Sequence, residues 1–138
     1  MIDNSWVIDI ETKVYSIIKA LTEAELKAKY PDIHYTMDDA TLTKPKFPTV
    51  YFHFLQSAER GQDLVGTSIN ALSMTCQVEI TVSKELGLSV AREVSGKILD
   101  AFKELKFVAT MPEFQNQTAD TKRTVMRFTR VIGSGDIL

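Results

Sequence analysis

From Leu72 to Ser83 the chain alternates without a break. Leu72, Met74, Cys76, Val78, Ile80 and Val82 take the even positions, and Ser73, Thr75, Gln77, Glu79, Thr81 and Ser83 take the odd ones. Successive side chains of a strand point to opposite faces, so this pattern predicts a strand with one dry face and one wet face. An antiparallel sheet covered on a single side has that character. Whatever else the chain does, it must supply an apolar layer for the even face of this strand.

Two stretches with helical spacing can supply it. Trp6, Val7, Ile10, Val14, Ile17, Ile18 and Leu21 recur on one side of a helix, with Asn4 or Ser5 as N-cap and Pro31 as the stop. Leu86, Val90, Val94, Ile98, Phe102 and Leu105 do the same in a second helix that Ser83 would cap. The predicted helices run over about 5–29 and 84–105. Gly96 falls inside the second, where glycine costs about 1 kcal/mol against alanine, so close backbone approach to a neighbour is the expected return. "DIHYTM" reads as a short strand and "TVYFHFLQ" as a strand apolar on both faces, with Val50, Phe52 and Phe54 on one and Tyr51 and Leu55 on the other. "TLTKPKFP" reads as a loop because two prolines remove backbone donors. "SAERGQDLVGTS" reads as a long hairpin connection, "KFVATM" as a short strand and "PEFQNQTAD" as a polar loop. "TKRTVMRFTRVI" reads as the last long strand, with Thr124, Met126, Phe128 and Ile132 on one face and Arg123, Val125, Arg127, Thr129 and Val131 on the other. The order predicts an α+β fold: a single mostly antiparallel β-sheet with two α-helices packed on one face, and a long hairpin loop.

The totals bound the functions. The 138 residues suit a single domain, 1–138, large enough to bury a core without disulfides or metal. A net charge of −2 gives no basic field to recruit nucleic acid. The one cysteine, Cys76, forms no internal disulfide, which fits a reduced, cytosolic setting or assembly from a cytosolic pool. The start, "MIDNSWVIDIETK", is acidic where a signal peptide would be basic, and no apolar run approaches the ~20 residues that span a membrane.

A search for chemistry returns no constellation. His34 and His53 lie in different strands without cysteine or carboxylate at metal-ligand spacing. Cys76 sits in the apolar register, where a packed inert thiol is expected. Asp38-Asp39 reads as a solvated turn. No serine stands in a nucleophile elbow. Gly133-Ser134-Gly135 is no phosphate loop, since only Asp136, Ile137 and Leu138 follow it here and no helix. Lys122, Arg123, Arg127 and Arg130 form the one basic stretch. It lacks the exposed aromatics of an RNA-binding sheet, and cross-strand pairing with Glu79 or contact with a partner subunit is the expected role. No catalytic residue, cofactor or metal is expected.

What remains is surface. The strand apolar on both faces, Val125 and Val131 on a wet face, and the trailing Ile137 and Leu138 point to protein–protein contact. The long loop that contains Glu59, Arg60, Asp63, Leu64 and Val65 points the same way.

The closing "MRFTRVIGSGDIL", preceded by "MPEFQNQTADTKR", resembles the C-terminal end of the tail terminator, or tail-completion, proteins of long-tailed (siphovirus-type) phages and prophages. The element order agrees: N-terminal helix, central strands with a long hairpin, second helix, final strand pair. By architecture the resemblance covers most of the chain; by sequence words it covers about the last 30 residues. It implies a structural virion protein, neither enzyme nor cofactor-binder, assembled in the host bacterial cytoplasm and resident in the tail. Such proteins form a hexameric ring that caps the head-proximal end of the tail tube, stops its polymerisation and offers a docking surface to the head. The implied partners are other copies of the chain, the major tail tube protein and the head-tail connector protein, with no membrane and no specific nucleic acid. On that reading Gly133 and Gly135 turn the chain away from the last strand. Asp136, Ile137 and Leu138 then reach a neighbouring subunit, with Arg123, Arg127 and Arg130 pairing across the contact. The alternatives are a head-tail joining or head-closure protein and a small nucleic-acid-binding α+β module.

Overall fold

The computed structural model describes residues 4–37, 46–61, 66–110 and 120–138 in full, and the backbone of 113–116. Asp38-Asp39 and the site candidates Asp63, Leu64 and Val65 lie outside the described residues.

The elements follow in the order α1 (Trp6–Lys29), β1 (His34–Thr36), β2 (Thr49–Phe54), β3 (Ala58–Arg60), β4 (Ala71–Ser83), α2 (Gly87–Glu104), β5 (Val108–Ala109), β6 (Glu113–Asn116) and β7 (Thr121–Gly133). The described strands form one sheet in the order β1-β2-β4-β7-β5, with β3 also on β4 and β6 also on β7. All pairings are antiparallel except β1 with β2. The fold is α+β as expected, and both helices pack on the sheet face that carries the even residues of β4.

That even face is entirely buried, from Leu72 to Val82. β4 and β7 pair over all 13 residues, Ala71 opposite Gly133 through Ser83 opposite Thr121. Thr124, Met126, Phe128 and Ile132 of β7 join the same core. Aromatic rings link the layers. Phe102 of α2 stacks on Phe128 of β7 at 4.0 Å and meets Phe107 edge-on at 5.2 Å. Phe52 of β2 meets Tyr15 of α1 edge-on at 5.1 Å. The lone thiol, Cys76, is sealed in this core, and burial pushes its pKa up.

The helices differ from expectation in detail. The buried positions of α1 are Ile10, Val14, Ile18, Thr22 and Leu26. Steps of four residues overshoot a full turn, so this stripe winds slowly round the helix and leaves Leu21 48% exposed. Thr22 is tolerated there because its hydroxyl donates to the Ile18 carbonyl at 2.8 Å and lies 2.6 Å from the Tyr35 hydroxyl. Ser5 takes the N-cap position without a capping hydrogen bond from its side chain. Asn4 is spent elsewhere, on the segment before β4. The second helix begins three residues late, at Gly87, whose φ of +74° suits glycine. Ser83 therefore ends β4 and does not cap α2. Gly96 makes no close approach: a Cβ there would meet nothing within 4 Å.

Two segments read as loops contain strands. Ala58–Arg60 pairs with β4, and Glu113–Asn116 pairs with β7. Both are short and polar, and both lie against a long neighbour whose backbone groups continue past β2 or β5. The unpaired donors and acceptors of that neighbour recruit them, whatever their side chains.

Candidate functional site

The covered face of the sheet is a packed core. Among the described residues, the surfaces left to act are the outer face of the sheet, which neither helix covers, the turn after β7, and a cleft at the β2–β3 edge.

On the outer face, polar pairs lie across β4 and β7. Arg123 donates through Nη1 to Glu79 Oε1 at 2.8 Å, the cross-strand pair expected from sequence. Arg127 Nε donates to Gln77 Oε1 at 2.9 Å, and the Thr75 and Thr129 hydroxyls lie 3.2 Å apart. On β2, Tyr51 and His53 stack at 5.8 Å. Val131 (55% exposed) and Val108 (70%) place apolar area on this face towards the β5 edge.

Arg130 sits in the core-facing register of β7, as alternation requires. Its guanidinium donates through Nη1 to the Leu105 carbonyl at 2.7 Å and pairs through Nη2 with Asp136 Oδ2 at 3.4 Å. Asp136 also accepts from the Gly133 N–H at 2.8 Å, while its own N–H donates to the Gly133 carbonyl at 3.0 Å. Ser134 N–H donates to the Asn70 carbonyl at 2.9 Å. The final glycine segment is thus a closed turn, clamped by one carboxylate and tied to the residue before β4. Neither Gly133 nor Gly135 adopts a left-handed conformation. Gly133 matters through proximity instead, since a Cβ there would sit 3.3 Å from Asp136 Oδ1. Beyond the turn the last two residues part ways. Leu138 packs against the core cluster, and Ile137 is 95% exposed.

The cleft is built by a break in an edge. In β2, Phe54 opposes Cys76; in β3, Ala58 opposes Ser73. Three residues, Leu55, Gln56 and Ser57, therefore face two, Met74 and Thr75, which makes a β-bulge. Leu55 N–H still reaches the Thr75 carbonyl at 2.9 Å. The start of α1 stands across from the bulge, held by its own side chains. Asn4 Nδ2 donates to the Thr67 carbonyl at 2.9 Å and Asn4 Oδ1 accepts from Ile69 N–H at 2.9 Å. Trp6 Nε1 donates to the Ile69 carbonyl at 3.2 Å. Between these walls lies a cleft of about 400 Å³, floored by Val7, Phe54, Leu55, Ile69 and Leu72 and flanked by Glu11 and Glu59. Burial raises the pKa of Glu11 above the ordinary carboxylate value.

Of the site candidates, Glu59 and Arg60 lie exposed on β3, Arg123 and Arg127 on the outer face, and Arg130 with Asp136 at the terminal turn. The structure brings Glu59 to the cleft; it does not gather the arginines into one patch. Sequence reasoning missed the cleft, because its walls come from three separated segments and a one-residue register shift. No group of three or more His, Cys, Asp or Glu among the described residues could hold a metal ion. No described helix is long and apolar enough to cross a membrane. The chain matches no protein-family model and no curated protein.

Proposed function

We propose that this chain is a structural virion protein of a long-tailed phage, a tail terminator. It caps the head-proximal end of the tail tube as a ring of copies, most simply six, stops polymerisation and presents a docking surface to the head. The reading begins from the resemblance of the closing residues, "MRFTRVIGSGDIL". The observation that carries it further is the way those residues are used. A 13-residue strand ends in a turn clamped by Asp136, beyond which Ile137 is exposed and Leu138 packs against the core. An exposed apolar side chain next to a hydrogen-bonded turn is the kind of surface that an assembly contact buries. The exposed Glu59, Arg60, Arg127 and Ile137 are the residues we assign to subunit contact, with no catalytic step and no cofactor in the role. A head-closure protein would use the same surfaces one interface further along the particle.

The test is native mass measurement of the purified chain, alone and mixed with phage major tail tube protein. A ring, free or bound at tube ends, supports the reading. A chain that stays monomeric in both conditions overturns it. The nucleic-acid alternative draws on the Tyr51–His53 stack, which shares a cross-strand row with Arg127 on the outer face, with Gln77 of β4 between them. Its signature would be salt-dependent retention of single-stranded RNA. The net charge of −2 and the engagement of Arg123 by Glu79 both weigh against that outcome.

A further inference from the structure

We propose that the cleft between the start of α1 and the bulged β2–β3 edge receives a second copy of this chain, and that the guest surface is the Val108–Val131 patch. Arg127 of the guest meets the carboxylates of Glu11 and Glu59. This deepens the ring reading and rests on it.

The cleft has an apolar floor and acidic walls. Val7, Phe54, Leu55, Ile69 and Leu72 offer aliphatic and aromatic area, while Glu11 and Glu59 bring two negative charges. Such a site suits an apolar group with a cation beside it, and it rejects an acidic guest. Ile137 is therefore the wrong guest despite its exposure, because Asp136 precedes it. The outer face of β7 carries the matching surface. Arg127, Thr129 and Val131 occupy alternate positions on one face, and Val108 of β5 pairs with Thr129. Val108, Val131 and Arg127 are all exposed.

Their placement suits side-by-side assembly. Glu59 opposes Leu72, and Leu72 opposes Ile132; the neighbouring row runs Ala58, Ser73, Val131. Cleft and patch therefore sit at the same height along the strands, on opposite edges of the sheet. Because the two surfaces differ, their contact is head-to-tail. Repeated by a fixed rotation, it gives a ring where that rotation closes and an open filament where it does not, and it cannot stop at a two-fold dimer. The bulge gains a purpose here: it ends the regular edge and opens the floor between strand and helix. Desolvation of Glu11 in the free subunit is also consistent with a carboxylate held ready for a cation.

The test is self-association of the full chain by sedimentation velocity, for Glu59→Arg, Arg127→Glu, the two together, and Val131→Asp. Melting temperature is measured in parallel to separate weaker contact from lost folding. Each single change is expected to weaken association about tenfold or more, and the double change to recover most of the loss. If the wild-type chain assembles and the single reversals assemble equally well, the cleft is not the contact, and the ring reading stands without it. Weakening by both single changes with no recovery in the double overturns the pairing of these charges. A wild-type chain that stays monomeric, alone and with tail tube protein, removes both the contact and the ring.

Discussion

Glu11 pays for its position. Burial beside the cleft raises its pKa, so the folded chain holds an ionised carboxylate at a cost when the pH is above that value. The sign follows from linkage: a raised carboxylate pKa means the folded state binds the proton more readily, and the cost fades as pH falls through it. Glu11→Gln should therefore raise the melting temperature at neutral pH, and the two proteins should converge once the pH falls to the ordinary carboxylate range near 4.5. An equal gap at both ends of that range would show that charge is not the cause. The strand period gives a sharper contrast. Val78→Asp places a carboxylate on the fully buried face, at several kcal/mol, comparable to the stability of a small domain. Gln77→Glu, one residue away, faces Arg127 on the outer side and should change stability by less than about 1 kcal/mol. Equal melting temperatures for the two variants would contradict the register. These strand positions were legible in the sequence because alternation is a local property. The desolvation of Glu11 was not, since the cleft it lines is shared with bulge residues more than 40 positions further along the chain.

At the scale of elements, the long ones declared themselves and the short ones did not. α1, β4, α2 and β7 each carry enough periodic residues to specify type and face. β3 and β6 are three and four residues long, mostly polar, and exist because a longer strand offers them a ladder. The start of α2 was misplaced for a related reason: Ser83 is a good capping residue by type but belongs to β4, whereas at α1 the N-cap is Ser5, one of the two residues expected there, and tertiary partners claim Asn4. The unexplained Gly96 offers a clean test. No neighbour approaches it, so Gly96→Ala should stabilise the chain by up to about 1 kcal/mol, or roughly 3–5 °C in melting temperature. A loss of stability would mean that the helix needs the glycine for packing after all. The terminal turn is the other element with a single support. Asp136→Ala removes the acceptor for Gly133 N–H and the partner of Arg130. Amide exchange at Gly133 and Ser134 should accelerate while β4 and the core of β7 stay protected. Unchanged exchange there would show that the clamp does not hold the turn.

For the whole molecule, a sheet with one dry face leaves its other face, its edges and its terminal turn to carry the function. Composition and the lack of a catalytic constellation in the sequence point towards surfaces, and the resemblance of the closing residues is the ground for the assembly proposed. The cleft and its complementary patch required the three-dimensional register, because opposite edges of a sheet are not neighbours in sequence. If the account is right, removing 134–138 leaves the domain folded, at a modest cost from losing the contact of Leu138 with the core. The central claim is termination of a growing tube, and electron microscopy of tail tube protein polymerising with and without this chain tests it most directly. The account predicts ring-shaped density at one end of each tube and shorter tubes as the chain is added. Tubes of unchanged length with bare ends would contradict it.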